Sequence, residues 1–194
     1  MKLKSLLKWT FRVVALVFLL IAAGLFIGYW MSTNDCGRKT TAPTNPMKAI
    51  VYCDYGSPDV LKLEQVEKPV PHDDQVLIKV RAASVNPYDW HFIRGTPYIL
   101  RLDAGLRKPK NLRLGGDVAG QIEAVGKNVT QYKPGDEVFG LCTGAWGEYC
   151  LGKSRLALKP SNITFEEAAS IPVAAITALQ ALRDKGKVQP GRRS

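Results

Sequence analysis

The sequence LGGDVAGQIEAVGKNVTQYKPGDEVFG, residues 114–140, guides the interpretation of the whole chain. Branched apolar residues alternate with small ones at Val118, Ile122 and Val125, which is typical of a strand that packs on a close neighbour. Residues 133–136, Lys-Pro-Gly-Asp, have the composition of a tight turn, because proline presets φ and glycine adopts positive φ values. The stretch therefore predicts two β-strands joined by turns.

The 194 residues are enough for one domain with a hydrophobic core. The net charge of +10 is unevenly distributed, because residues 1–31 carry four basic residues and no acidic one. Residues 47–194 hold 21 Lys and Arg against 16 Asp and Glu. No nucleic-acid-binding motif is present, so we expect no nucleic-acid partner.

The cysteines and histidines give no metal-binding pattern. The four cysteines form no CxxC pair, and the chain has only two histidines. Free, mostly buried thiols are the simplest expectation. A disulfide between Cys142 and Cys150 is the alternative, if the domain lies in an oxidising compartment.

Residues 13–31, VVALVFLLIAAGLFIGYWM, carry no charge and end in an aromatic pair suited to a membrane interface. Their length predicts a single transmembrane helix and an anchor in the lipid bilayer. A cleavable signal peptide is the alternative, although the apolar run continues past the small residues Ala22, Ala23 and Gly24. Gly24 and Gly28 form a GxxxG pattern that could pair two helices into a homodimer, but glycine is also common in membrane helices.

The sequence leaves the side of the membrane open. Basic residues before the apolar run favour a cytoplasmic amino end, which would place the domain on the other side. Arg38, Lys39 and Lys48 follow the run and weaken this bias. Residues 32–46 are polar, contain two prolines and have no apolar periodicity, so they are predicted to be a flexible linker.

The rest of the chain predicts a mainly β domain with short helices. Strands are expected over residues 47–52, 61–66 and 75–85, and a short helix after Asn86-Pro87. Thr164 and Glu167 form a capping box that starts a helix, and a second helix follows Pro172. These elements give the expected organisation, listed in order: anchor 1–31, linker 32–46, β-domain 47–160 and helical pair 161–194.

Several motifs recur in the order found in one enzyme family. They are MKAIVY from Met47, GSPDVL from Gly56, SVNPYDW from Ser84, GGDVAG from Gly115 and GAWGEY from Gly144. Over residues 47–191 the chain resembles the medium-chain dehydrogenase/reductase superfamily, and within it the zinc-free quinone oxidoreductase, or zeta-crystallin-like, branch. The resemblance implies a GroES-like, partly open β-barrel. It also implies hydride transfer from NADPH to a quinone or an α,β-unsaturated carbonyl compound.

The same resemblance argues against a metal. Asn86 occupies the place of a cysteine ligand in the zinc-dependent relatives, and Gly116 occupies the place of their histidine ligand. The loop of four cysteines that holds a structural zinc in those relatives is also missing. Because zinc needs three or four sulfur, imidazole or carboxylate ligands, we expect metal-free chemistry.

Four site residues follow from the resemblance, each with a plainer alternative. Asn86 would contact the nicotinamide, or only hold a turn. His91 would contact cofactor or substrate, or be a surface residue. Thr177 would contact the nicotinamide, or bond to a carbonyl one helical turn back. Tyr98 would donate a proton to the product, or be a loop aromatic that covers a pocket.

Two further features were interpreted from the sequence. Residues 101–113 hold five basic residues and one acid, which suits either a solvated loop or steering of an anionic substrate or phosphate cofactor. Residues 187–191 resemble the family's lead-in to a Rossmann domain, yet no GxGxxG-like stretch is present. We therefore expect a truncated chain that binds NADPH poorly. The alternative is a non-catalytic, membrane-tethered β-module that binds a partner.

Overall fold

A computed structural model of the protein describes residues 3–31, 36 and 42–188. Most of the predicted linker, and the predicted lead-in sequence from residue 189 onward, lie outside the described residues. The amino-terminal helix α1 runs over Leu3–Met31, and its part Lys8–Met31 is long and apolar enough to cross a membrane. A signal sequence would satisfy the same criteria, so the anchor stays a prediction.

The GxxxG glycines of α1 have different surroundings. A Cβ atom added at Gly28 would lie 3.3 Å from Leu106 Cδ1, whereas one at Gly24 would meet no atom within 4 Å. The carboxyl end of α1 therefore contacts the loop that contains Leu106. Pairing of two α1 helices stays a prediction.

The described residues form six strands in two antiparallel groups. A ribbon consists of β1 (Pro46–Tyr52) and β2 (Leu61–Glu67). In the second group, β3 pairs with β4 and β6, and β5 also pairs with β4 and β6, which gives a ring of four strands. The members of the ring are β3 (Val76–Ala83), β4 (Asp117–Val125), β5 (Glu137–Thr143) and β6 (Tyr149–Leu158).

The ribbon joins the ring through isolated bridges, Ala49 to Gly147 and Val51 to Arg113, and not through a continuous ladder. The six strands together therefore do not make one closed barrel. The strands predicted after Met47, Leu61 and Gln75 are confirmed, as are the two strands predicted within residues 114–140.

The core lies inside the ring and follows the predicted alternation. Val118 and Ile122 of β4 are buried with Ile78 and Val138 from the neighbouring strands. Gly120 lies between them, and a Cβ there would be only 2.3 Å from the carbonyl oxygen of Lys79. The backbones of β3 and β4 can approach this closely only because residue 120 has no side chain.

Short helices cover the ends of the strands. They are α2 (Pro87–Arg94), α3 (Arg101–Ala104), α4 (Phe165–Ser170) and α5 (Pro172–Leu179), and α5 continues as a π-helical segment over Gln180–Lys185. The predicted capping box of α4 is confirmed. The backbone N–H of Glu167 donates to Thr164 Oγ1 at 3.1 Å, and Thr164 N–H donates to Glu167 Oε2 at 2.8 Å.

The expectation of free thiols is wrong for one pair of cysteines. Cys36 and Cys53 form a disulfide with a Cα–Cα distance of 5.6 Å. A search for CxxC spacing cannot detect this pair, because 17 residues separate the two cysteines and β1 brings them together. Cys142 and Cys150 are free. Burial is the main cause that raises the pKa of the Cys142 thiol, and the neighbouring Cys150 thiol raises it further.

Candidate functional site

A buried carboxylate at the start of β4 organises the candidate site. The side chain of Asp117 is fully buried, and its Oδ2 accepts three hydrogen bonds. The donors are the Ser84 hydroxyl at 3.1 Å, the Asn86 amide nitrogen at 3.1 Å and the Val173 backbone N–H at 3.2 Å. We call these four residues the Asp117 cluster. The other carboxylate oxygen of Asp117, Oδ1, has no hydrogen-bond partner within the described part of the chain.

The amide of Asn86 has a defined orientation in this cluster. Its backbone is extended, at φ −120° and ψ 159°, as expected for a residue before proline. Its Nδ2 also donates to Ser84 Oγ at 3.0 Å. Because an ionised carboxylate only accepts hydrogen bonds, the amide nitrogen must face Asp117, and the amide oxygen is directed away from it. In the capping box of α2 the Asn86 side chain accepts from the Asp89 backbone N–H, and the second lone pair of the amide oxygen can accept a hydrogen bond from a ligand.

A second buried carboxylate holds the backbone of Asn86. Asp89 lies in the first turn of α2, and its Oδ2 accepts from the Asn86 backbone N–H at 2.9 Å. Burial raises the pKa of Asp89, and hydrogen bonds from the backbone of Asn86 and Gly115 oppose this rise. Asn86 is thus fixed through its side chain by Asp117 and through its backbone by Asp89.

The Asp117 cluster also fixes the amino end of α5. The Val173 N–H bound by Asp117 lies in the first turn of this helix, where a carboxylate complements the helix dipole. Thr177 follows Val173 by one helical turn, so both residues lie on the same face of α5. Thr177 is exposed. The same carboxylate therefore positions Asn86 directly and the helix that carries Thr177.

His91 and Tyr98 have contacts of a different kind. His91 Nδ1 lies 2.7 Å from the carbonyl oxygen of Thr96, and its ring contacts Trp90 edge-on. Tyr98 is 73% exposed, with the Arg101 guanidinium 4.7 Å from its ring centroid. These contacts lie within residues 90–101, from α2 to the start of α3, and do not involve the Asp117 cluster. The predicted roles of both residues stay predictions.

A cavity of about 270 Å³ adjoins the cluster at Gly115 and Gly116. Arg113 lines it and is partly buried, and burial lowers the pKa of its guanidinium. Among the described residues no hydrogen-bond partner is found for Arg113 Nη1, which is buried. A Cβ at Gly116 would meet no atom within 4 Å, so the position of the histidine in zinc-dependent relatives is open space here. The cavity wall thus carries hydrogen-bond donors suited to an oxygen-bearing ligand.

Sequence reasoning missed Ser84, Asp89 and Asp117 as site residues. One signal was present, because Asp117 is followed directly by the small and apolar residues Val118, Ala119 and Gly120, among which a buried carboxylate needs donors. No group of three or more His, Cys, Asp or Glu side chains comes together in the described part of the chain. The expectation of metal-free chemistry stays a prediction.

Fold and site together define a GroES-like domain of the kind that carries the substrate side of alcohol dehydrogenases and their relatives. The alcohol dehydrogenase GroES-like domain family matches residues 72–175. The chain belongs to this family, within the quinone oxidoreductase branch of the medium-chain dehydrogenase/reductase superfamily.

The chain is similar to part of longer proteins. The chain is 42% identical over 141 residues to a quinone oxidoreductase of Lama guanicoe, covering 70% of this chain and 40% of the relative. It is 42% identical over 152 residues to a 2-methylene-furan-3-one reductase of Solanum lycopersicum, covering 72% and 38%. A mycobacterial protein solved in complex with NADPH superposes with a TM-score of 0.65 at 31% identity, covering 75% and 43%. The chain thus spans less than half the length of each.

Proposed function

We propose that this chain is the substrate-side half of an NADPH-dependent, zinc-independent oxidoreductase that reduces a quinone or an α,β-unsaturated carbonyl compound. Family membership supports the reaction class. The observation that carries the proposal is the fixed amide of Asn86, whose nitrogen faces Asp117 at 3.1 Å and whose oxygen, the acceptor in the capping box of α2, has a second lone pair for a ligand.

The residues around Asn86 fit a nicotinamide. When bound, the cofactor supplies a hydride, which amounts to two electrons and one proton. The Asn86 amide oxygen would accept a hydrogen bond from the carboxamide N–H, and the Thr177 hydroxyl would make a second contact. Open space beside Gly116 leaves room for a planar ring. The task of these residues is orientation, which lowers the barrier by holding the reacting atoms close together.

The reduction also needs one proton for each hydride. In a quinone the product oxygen takes the proton, and in an enone the carbon next to the carbonyl group takes it after hydride addition to the β-carbon. Tyr98 is the candidate donor from the sequence, because a phenol hydroxyl can act as a general acid. Its exposed position beside Arg101 adds no support for this role.

We further propose that α1 anchors the domain in a lipid bilayer, with residues 1–31 as the anchor, 32–46 as the linker, 47–160 as the GroES-like domain and 161–194 as the helical part. The span Lys8–Met31, 24 residues with a mean hydropathy of 2.5, supports the anchor by length and composition.

Saturation-transfer NMR on the full chain tests the cofactor proposal. NADPH in excess should receive saturation at its nicotinamide protons and much less at its adenine protons, because only the nicotinamide has proposed contacts here. Asn86→Ala and Thr177→Ala should each weaken the nicotinamide signal. His72→Ala, a substitution in a loop with no proposed role, should leave it unchanged.

Equal saturation of adenine and nicotinamide would contradict the proposal, and so would a nicotinamide signal unaffected by Asn86→Ala.

A second candidate is a non-catalytic, membrane-tethered GroES-like binding module. The disulfide between Cys36 and Cys53 favours it, because such bonds persist in oxidising compartments. The basic residues that precede the apolar run of residues 13–31 favour a cytoplasmic amino end and therefore the opposite side of the membrane for the domain. NADPH oxidation by the full chain that depends on an added quinone or enone would support the enzyme. A rate of NADPH oxidation that is the same with and without these compounds would support the module.

A further inference from the structure

The loop after α3 contacts the membrane-interface end of α1. Leu106 lies against Gly28, and the Arg107 guanidinium is 6.0 Å from the ring centroid of Tyr29 and 5.6 Å from that of Trp30. Tyrosine and tryptophan at the end of a transmembrane helix lie at the level of the lipid headgroups. If α1 spans a bilayer, Arg107 therefore lies at headgroup depth.

The neighbouring residues expose apolar side chains on the same segment. Tyr98 is 73% exposed, Ile99 68% and Leu102 55%. They occur within five residues, on a short 3-10 turn and on α3. A cluster of exposed apolar side chains of this kind marks an interaction surface.

The charge of this segment indicates the chemistry of the partner. Arg101, Arg107, Lys108 and Lys110 are basic, and Asp103 is the single acid between residues 97 and 110. Lys108 forms an ion pair with Asp54 at 3.2 Å, but the segment remains strongly positive. Basic residues next to exposed aromatic and aliphatic ones are typical of surfaces that rest on anionic lipids.

We propose that residues 97–110 dock on anionic lipid headgroups beside α1. Ile99, Leu102 and Tyr98 enter the interfacial layer, and the basic side chains pair with lipid phosphates. This placement makes Tyr98 a lipid-contact residue, in competition with its candidate role as proton donor. The inference depends on the anchor and not on NADPH chemistry.

Hydrogen–deuterium exchange of the full chain in lipid nanodiscs tests this docking. In discs that contain phosphatidylserine, backbone amides of residues 97–110 should exchange about tenfold more slowly than in pure phosphatidylcholine discs. Amides in the turn at residues 126–135 should exchange equally in both. High salt should remove the difference, because it screens exposed charges.

Two variants separate lipid contact from folding. Arg107→Gln with Lys110→Gln should abolish the difference between the lipids. The matched control, Lys127→Gln with Lys153→Gln, removes the same charge from exposed ion pairs with Asp73 and Asp74 and should preserve it. Exchange of β4 and β5 amides in the same samples reports whether each variant is folded.

Equal exchange in both lipids would overturn the proposal, as would equal losses in the two charge variants. A chain that does not remain associated with the discs would overturn it as well. Loss of the chain from the discs marks a failure of the proposed anchor, whereas equal exchange by a chain that stays in the discs marks a failure of the docking alone. NADPH oxidation or binding has no part in these readouts, so the reductase proposal is tested separately.

Discussion

The Asp117 cluster and the segment 97–110 differ in what holds their side chains. In the cluster, one buried carboxylate oxygen receives three donors from two separate parts of the chain, residues 84–86 and Val173. In the segment, exposed side chains such as Tyr98 have few neighbours besides Arg101. A buried carboxylate is stable only when hydrogen-bond donors are held around it. Removing a member of the cluster should therefore cost much of the free energy of unfolding. The segment should tolerate substitution and respond to its surroundings.

The largest expected effect comes from removing the carboxylate of the cluster. Asp117→Ala removes the carboxylate that accepts from three partly buried donors and should lower the free energy of unfolding by about 3–5 kcal/mol. Urea unfolding followed by circular dichroism measures the change. The control Asp73→Ala, which breaks the exposed pair with Lys127, should cost at most about 1 kcal/mol. Similar losses of unfolding free energy in Asp117→Ala and Asp73→Ala would show that the buried Asp117 contributes no more stability than the exposed Asp73.

The next largest effect tests the strand that carries the cluster. Gly120→Ala should destabilise the domain by about 1–3 kcal/mol, because the new Cβ would press on the carbonyl oxygen of Lys79. Gly116→Ala adds the same methyl group into open space and should change the stability by about 0.5 kcal/mol or less. Thermal unfolding of both variants provides the measurement. Equal shifts in the two would show that the backbones of β3 and β4 do not approach as described.

A smaller effect is expected in α2, just before the segment 97–110. His91→Ala removes the contact of Nδ1 with the Thr96 carbonyl oxygen, worth about 1 kcal/mol in the free energy of unfolding. Tyr98→Ala, a few residues further along, should cost about 0.5 kcal/mol or less because the ring is exposed. Chemical denaturation distinguishes them. A larger loss for Tyr98→Ala would mean that this ring is packed more tightly than its exposure indicates.

The smallest effect is a pH dependence. Burial raises the pKa of Asp89 in the folded protein, so its protonated form is favoured by folding. The stability that this group contributes is fully present below its unfolded pKa of about 3.9 and is lost as the pH rises through the folded value. Relative to Asp89→Asn, the wild type should therefore lose stability as the pH rises from about 4. The difference in unfolding free energy between the wild type and Asp89→Asn is measured as a function of pH. A difference that does not change with pH, or one that changes in the opposite direction, would contradict the raised pKa of Asp89.

The strands and capped helices could be predicted because their signals are local. Alternation at Val118 and Ile122 and the capping box of Thr164 depend on residues a few positions apart, and the structure confirms both. The lone charge of Asp117 was visible too, but not its partners.

The cluster itself could not be predicted in this way. Asp117 is separated by 33 residues from Ser84, by 31 from Asn86 and by 56 from Val173. Only the ring of strands brings these groups together. The bond between Cys36 and Cys53 was missed for the same reason, since it depends on where β1 ends.

A double-mutant cycle between Asn86 and Asp117 tests the central claim most directly. Unfolding free energies are measured for the wild type, Asn86→Ala, Asp117→Asn and the double variant. If the carboxylate fixes the Asn86 amide, the coupling energy should be about 1–2 kcal/mol. A coupling of about 0.3 kcal/mol or less, within the range for independent sites, would show that Asp117 does not hold Asn86 in place.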